Sequence, residues 1–179
     1  MNAARCRHCG EPLDAAAVTD AQGAPSWCCH GCASAANFIE SSGLGDYYRL
    51  RQSEAVRPQQ GDEDFSLWDR ADLLAEHSRQ TPEGREITVL TDAMRCAACA
   101  WLIDRALRRR EGVSEVIANA VTGRIRIVWD QARAPLSGLL QDLSRLGYRP
   151  QLAPGQARHV VQVFAAVGHV LPVHPARQA

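Results

Sequence analysis

Glu86-Ile-Thr-Val-Leu-Thr-Asp92, and just beyond it Met94-Arg95-Cys96-Ala97-Ala98-Cys99, form the stretch on which the reading of the fold turns. The first run reads as a short β-strand. After the second, Leu102, Ile103, Ala106 and Leu107 fall at helical spacing from Cys99, so two thiols stand where a strand gives way to a helix. Working outward, Gly112 is the glycine expected just past a helix C-terminus, and Val113 to Val121 reads as a second strand. Thr122-Gly123 makes a tight connection into a third strand, in which Ile125, Ile127 and Trp129 alternate with Arg124 and Arg126. Pro135 suits a first helical position, and Leu136, Leu139, Leu140, Leu143 and Leu146 mark a second amphipathic helix. Gly147 caps that helix, and Tyr148 to Leu152 is a last short strand. The order over 86–153 is βαββαβ, an α+β, ferredoxin-like arrangement with two helices on one face of a four-stranded antiparallel sheet.

The position of Cys96 and Cys99 has chemical consequences. A helix N-terminus presents unpaired N–H groups and the positive end of the macrodipole, and both favour thiolate over thiol. Two thiolates close together make a soft site that suits Cu(I) or Zn(II) and poorly suits Mg or Ca. Met94 is expected to point into the core and anchor the loop.

The rest of the chain adds a second set of thiols. Seven cysteines include Cys6/Cys9, Cys29/Cys32 and Cys96/Cys99, each pair two residues apart, with Cys28 directly before Cys29. An odd total in such pairs is a metal or redox pattern of a reducing compartment rather than a disulfide framework. Cys6-Arg-His8-Cys9-Gly10 reads as a small knuckle, and Trp27-Cys28-Cys29-His30-Gly31-Cys32 supplies the partner thiols at the spacing of a four-cysteine zinc site. Residues 1–50 are too few to bury a sufficient apolar core, so a metal at Cys6, Cys9, Cys28, Cys29 and Cys32 would serve as one. A helical pattern runs from Ala33 through Ile39, breaks at Gly43 and resumes at Leu44, Tyr47 and Tyr48. Residues 51–85 read as a linker containing one short helix through Phe65, Leu67, Trp68, Leu73 and Leu74, with His77 as a solvated surface histidine. Residues 154–179 read as a tail too broken to span a bilayer, where His159, His169 and His174 are incidental. A formal net charge of zero gives no electrostatic case for nucleic acid. No apolar leader follows Met1, which points to the cytosol or to a cytosolic face of something larger.

These residues resemble a known family. Met94-Arg-Cys-Ala-Ala-Cys99, with Gly112-Val113, Asn119, Thr122, Trp129-Asp130 and Gly147-Tyr148, resembles the heavy-metal-associated domain of copper chaperones and copper-transporting P-type ATPases. Cys96-Ala-Ala-Cys99-Ala-Trp101-Leu-Ile103 looks like the variant in ATPases that supply copper to cbb-type cytochrome c oxidase, the FixI/CcoI type. Cys6-x-His8-Cys9-Gly10, Trp27-Cys-Cys-His-Gly-Cys32 and Gly43-Leu44-x-x-Tyr47-Tyr48-x-Leu-Arg51 resemble the metal-binding segment that precedes the domain in those ATPases. Ala93 stands where the family's loop commonly carries glycine, which stiffens the loop.

The resemblance implies Cu(I) held in an exposed site by Cys96 and Cys99 and passed on by thiolate exchange, with Zn(II) or a second copper at the N-terminal cysteines. It implies a copper chaperone, or the membrane part of a copper ATPase, as partner, with membrane association through a parent transporter at the cytoplasmic face of the inner membrane. Trp101 and Tyr148 are expected to flank the thiols. Arg105, Arg108, Arg109 and Arg110 read as a solvated helix face, or as a docking patch for an acidic chaperone. The sequence has no Asp-Lys-Thr-Gly phosphorylation motif and no Cys-Pro-Cys membrane motif, so the chain as it stands is not expected to hydrolyse ATP. Two rival readings stay open: a thiol-disulfide oxidoreductase using Cys96/Cys99, and a zinc-stabilised interaction module.

Overall fold

The computed structural model describes residues 4–58 and 63–153, and the expected tail at 154–179 lies outside them. From the N-terminus, a hairpin of β1 (Val18–Thr19) and β2 (Pro25–Trp27) leads into α1 (His30–Ser41) and the short α2 (Asp46–Leu50). A 3-10 turn at Ser66–Asp69 and α3 (Ala71–His77) follow, then β3 (Ser78–Thr81). Next come β4 (Gly84–Leu90), α4 (Ala97–Leu107), β5 (Val113–Asn119), β6 (Arg124–Trp129), α5 (Leu136–Arg145) and β7 (Gln151–Leu152). From β4 to β7 the order is the βαββαβ of a ferredoxin-like α+β fold.

The sheet has five strands rather than the expected four. β6 lies between β4 and β5, and the free edge of β4 is shared by two short strands. Ser78–Thr81 pairs with Gly84–Ile87, and β7 pairs with Val89 and Leu90, all antiparallel. The fifth strand arises because the break at Thr81-Pro-Glu-Gly84 is a hairpin turn that folds the preceding residues back on β4. Gly84 is required there: its φ is +134°, and a Cβ would stand 2.3 Å from the Trp129 carbonyl oxygen.

Alternation along the strands separates two faces. Ile87, Val89, Ile125, Ile127 and Trp129 are almost wholly buried against α4 and α5, which contribute Leu102, Ile103, Leu107, Leu139 and Leu143. Each such aliphatic side chain contributes about 1.5–3 kcal/mol. The other face carries ion pairs. Glu86 accepts from Arg79 Nε and Nη2 at 2.8 and 2.9 Å and from Arg126 Nη1 at 2.9 Å, which holds its carboxyl below the usual range.

Several boundaries differ from those read in sequence. α4 stops at Leu107, because Arg108 to Glu111 form turns in which the Arg110 N–H bonds the Leu107 carbonyl. Gly112 thus serves the turn into β5. Pro135 is the N-cap of α5 rather than its first residue, and offers no side-chain cap. Asp69 fills that gap from a distance: its Oδ1 accepts the Ser137 N–H at 3.0 Å. Residues 65–85 therefore form part of the packed body, with Phe65 and Leu74 in the main core. His77 is half-buried, edge-on to Trp68 with ring centroids 5.8 Å apart, rather than a free surface side chain.

The N-terminal unit joins the same body. Asp20 organises the β1–β2 turn by accepting the Gln22 and Ala24 N–H groups and the Ser26 hydroxyl. Gly43 ends α1, its N–H bonding the Glu40 carbonyl while the Leu44 N–H bonds that of Ile39. Ile39, Leu44 and Tyr47 then enter the main core, whereas Cys6, Trp27, Cys29, Cys32, Ala33 and Ala36 form a small second cluster.

Candidate metal centres

α4 begins immediately after Cys96, whose extended backbone (φ −156°, ψ 168°) places it at the N-cap. Cys99 lies in the first turn, its N–H bonded to the Cys96 carbonyl at 3.0 Å. The two Sγ atoms are 3.6 Å apart, and both thiols are free. Burial raises the Cys96 thiol, but the backbone amide of Gln52, the amide and thiol of Cys99 and the amide of Ala98 outweigh it and bring it to about 7.

The exposed site expected for this pair is not what forms. Cys96 is 8% exposed and Cys99 3%. The cause is α2, which packs against α4 and places the Tyr47 hydroxyl 3.9 Å from the Cys99 sulfur. Tyr148 is also buried beside the pair; burial, then the charges of Tyr47 and Cys99, push its hydroxyl well above the ordinary range. Met94 is buried in the core, and Trp101 is partly buried at its margin. In the arginine run, Arg110 is bidentate to the buried carboxylate of Asp142 at 2.5 and 2.8 Å, and Arg108 bonds Asp104 at 2.6 Å. Arg105 and Arg109 are exposed.

Four of the five N-terminal cysteines converge. The sulfurs of Cys6, Cys9, Cys28 and Cys32 all lie within 4.8 Å of one another. Cys9 to Cys28 is 3.5 Å and Cys28 to Cys32 is 3.7 Å. A tetrahedral zinc with Zn–S bonds of about 2.3 Å would set its sulfurs about 3.8 Å apart, so this donor set fits one. Cys29 stands outside the cluster. It is the N-cap of α1, where its sulfur accepts the Cys32 N–H at 3.4 Å.

The electrostatics of the four thiols also fit a cation. Burial raises Cys6, but the amides of Cys9, Cys28 and His8 and the Cys9 thiol bring it down to about 7. Burial and the neighbouring sulfurs push Cys28 up to about 12, and Cys32 is raised as well. Without a counter-charge the cluster cannot carry four thiolates, whereas a dication would bind them and release the remaining protons.

Sequence spacing does not reveal the residues that link the two centres. His8 is fully buried, and burial followed by the Arg51 charge lowers it to about 4, so it is neutral. Its Nδ1 lies 2.9 Å from the Tyr48 hydroxyl. Arg51 donates to the His8 and Arg7 carbonyls at 2.5 and 3.0 Å. The Tyr47-Tyr48 pair and Arg51 stand out in the sequence as part of a motif, but no local rule assigns them to the thiols of a distant segment.

Two families match this chain. Residues 5–82 match the family described as "Putative metal-binding domain of cation transport ATPase", and residues 88–149 match the heavy-metal-associated domain. The chain thus carries a heavy-metal-associated domain preceded by a cysteine-rich metal-binding domain. Among curated proteins, it is 34% identical over 62 residues to the copper-transporting ATPase of Helicobacter felis, covering 35% of this chain and 8% of that protein. It is 32% identical over 66 residues to the copper-exporting P-type ATPase of Bacillus subtilis, covering 37% and 8%. The matched segment is therefore a small part of either relative. Among solved structures, oxidized MerP from Ralstonia metallidurans CH34 is 25% identical, with 37% of this chain and 93% of that chain covered and a TM-score of 0.36.

Proposed function

We propose that this chain binds Cu(I) through Cys96 and Cys99 and passes it on by thiolate exchange, as the metal-binding N-terminal part of a copper-transporting P-type ATPase of the FixI/CcoI type. The observation that carries the reading is a reduced thiol pair, 3.6 Å apart at a helix N-terminus, within a heavy-metal-associated domain. A thiol brought to about 7 is substantially ionised near neutral pH, and thiolate is the form that ligates a soft ion. The two curated relatives, both copper ATPases, support the choice of ion. An incoming thiolate from a donor adds as a third ligand before one of the original bonds breaks, so the ion is never free. The donor is a copper chaperone, and the receiver is the membrane part of the same ATPase, with this region on the cytoplasmic face. Residues 1–50 are a cysteine-rich segment, 51–85 a connecting region and 86–153 the heavy-metal-associated domain. Cys6, Cys9, Cys28 and Cys32 hold Zn(II), which supplies structural cross-linking of the segment.

Anaerobic Cu(I) titration against a competing chelator tests the reading. The intact chain is expected to take up one tight equivalent that the Cys96→Ala/Cys99→Ala variant lacks. Equal uptake by both would sink the copper assignment. The geometry of Cys96 also suits thiol-disulfide exchange, so insulin reduction is measured alongside. Reductase activity that persists after metal removal would favour that second reading.

A further inference from the structure

Of the two adjacent tyrosines on α2, Tyr48 lies against its own segment, with its hydroxyl on His8, and Tyr47 faces the thiols of the other. Tyr47 is 1% exposed, and its hydroxyl lies 3.9 Å from Cys99 Sγ. Tyr47 lies outside the segment 88–149 that matches the heavy-metal-associated domain. We infer that Tyr47 is a positioning residue for Cys96 and Cys99: its hydroxyl donates to the Cys99 sulfur and its ring roofs the pair, so that the N-terminal segment governs access to these thiols.

The assignment rests on reading the pair as the exchange site, and it explains why a pair that must meet an incoming thiolate is only 8% and 3% exposed. The roof is also tied to the first thiol cluster. Tyr47 packs edge-on against Tyr48, with centroids 5.3 Å apart, and the Tyr48 hydroxyl lies 2.9 Å from Nδ1 of His8, which sits between Cys6 and Cys9. The guanidinium of Arg51 also lies over the Tyr48 ring, 5.1 Å from its centroid. Displacing α2 therefore exposes Cys96 and Cys99 together, and the contacts around His8 oppose that displacement. A tyrosine hydroxyl donates to a thiolate without itself becoming a strong soft-metal ligand, so it orients Cys99 and leaves the metal to the sulfurs.

The test uses the full chain, reduced and cleared of copper with a Cu(I)-specific chelator. Short iodoacetamide pulses are read peptide by peptide with mass spectrometry. In Tyr47→Leu, which keeps apolar volume but loses ring and hydroxyl, alkylation of the peptide holding Cys96 and Cys99 is expected to rise roughly tenfold, as for a site whose local opening has become easier. The peptides holding Cys6 to Cys32 should stay unchanged. In Tyr47→Phe the ring remains, and the Cu(I) dissociation constant is expected to rise roughly three- to tenfold for one lost hydrogen bond. An equal rise of alkylation in every peptide would mean general loosening and would overturn the assignment. So would wild-type alkylation and copper affinity in both variants. Failure of the chain to take up copper would remove the proposed function, while the alkylation contrast would still decide the role of Tyr47.

Discussion

Cys28 and Cys29 are adjacent, yet their sulfurs do different work. Cys28 joins Cys6, Cys9 and Cys32, while Cys29 caps α1 with its sulfur on the Cys32 N–H. Burial raises the Cys29 thiol, but the Cys32 amide and then the Arg57 guanidinium outweigh it and lower it. Cys28→Ala is therefore expected to abolish zinc retention, as measured by metal analysis of protein purified without chelator. Cys29→Ala should retain one zinc per chain and lose about 1 kcal/mol of stability in denaturant unfolding, as for other lost N-caps. Equal zinc loss in the two variants would refute the division of labour. Spacing alone could not separate these residues, because both Cys28 and Cys29 stand at workable distances from Cys32. The choice depends on which side chain the extended backbone before α1 turns toward the knuckle. Cys96 and Cys99 were legible because their chemistry is local, whereas Tyr47 was not, because it meets Cys99 only through tertiary packing.

At the scale of elements, α5 starts without a cap of its own, since Pro135 has no side-chain acceptor, and it takes one from Asp69, far back in the chain. The carboxylate satisfies an N–H of the first turn and lies at the positive end of the helix dipole. Asp69→Ala is expected to cost about 1 kcal/mol in urea unfolding, and Asp69→Asn about half as much because the acceptor remains while the charge is lost. A cost within about 0.3 kcal/mol of zero for Asp69→Ala would show that solvent satisfies Ser137 equally well. The same region shows where periodicity stops informing. The βαββαβ order was readable because each of its principal elements buries an apolar stripe. Ser78-Arg-Gln-Thr81 has no such stripe and becomes a strand through main-chain pairing with β4. Helix ends moved for a similar reason: Arg110 turns out of α4 to reach Asp142, a partner that no local pattern announces.

Across the whole molecule, two cores of unequal strength meet along α1 and α2. The main one joins the sheet, α4 and α5 with Ile39, Leu44 and Tyr47; the other consists largely of cysteines, Trp27 and two alanines. Such a cluster buries too little apolar surface to stand unaided, whereas structural zinc in small tetrathiolate and related sites contributes about 10–16 kcal/mol of folding free energy. Stripping metal with a strong chelator under reducing conditions should therefore release residues 6–32 while the sheet persists. Ile39, Leu44 and Tyr47 belong to the main core and should keep the later part of the segment docked. Hydrogen exchange resolves the two behaviours. Amides between Cys6 and Cys32 are expected to exchange on the order of a hundredfold faster after chelation, and those of β4 and β6 to remain as slow as before. Readdition of zinc should restore protection in 6–32, but not in a Cys6→Ala/Cys9→Ala variant. Unchanged protection of 6–32 after complete metal removal would mean that thiol packing alone holds the knuckle, and simultaneous loss in β4 and β6 would mean that the two cores are one cooperative unit.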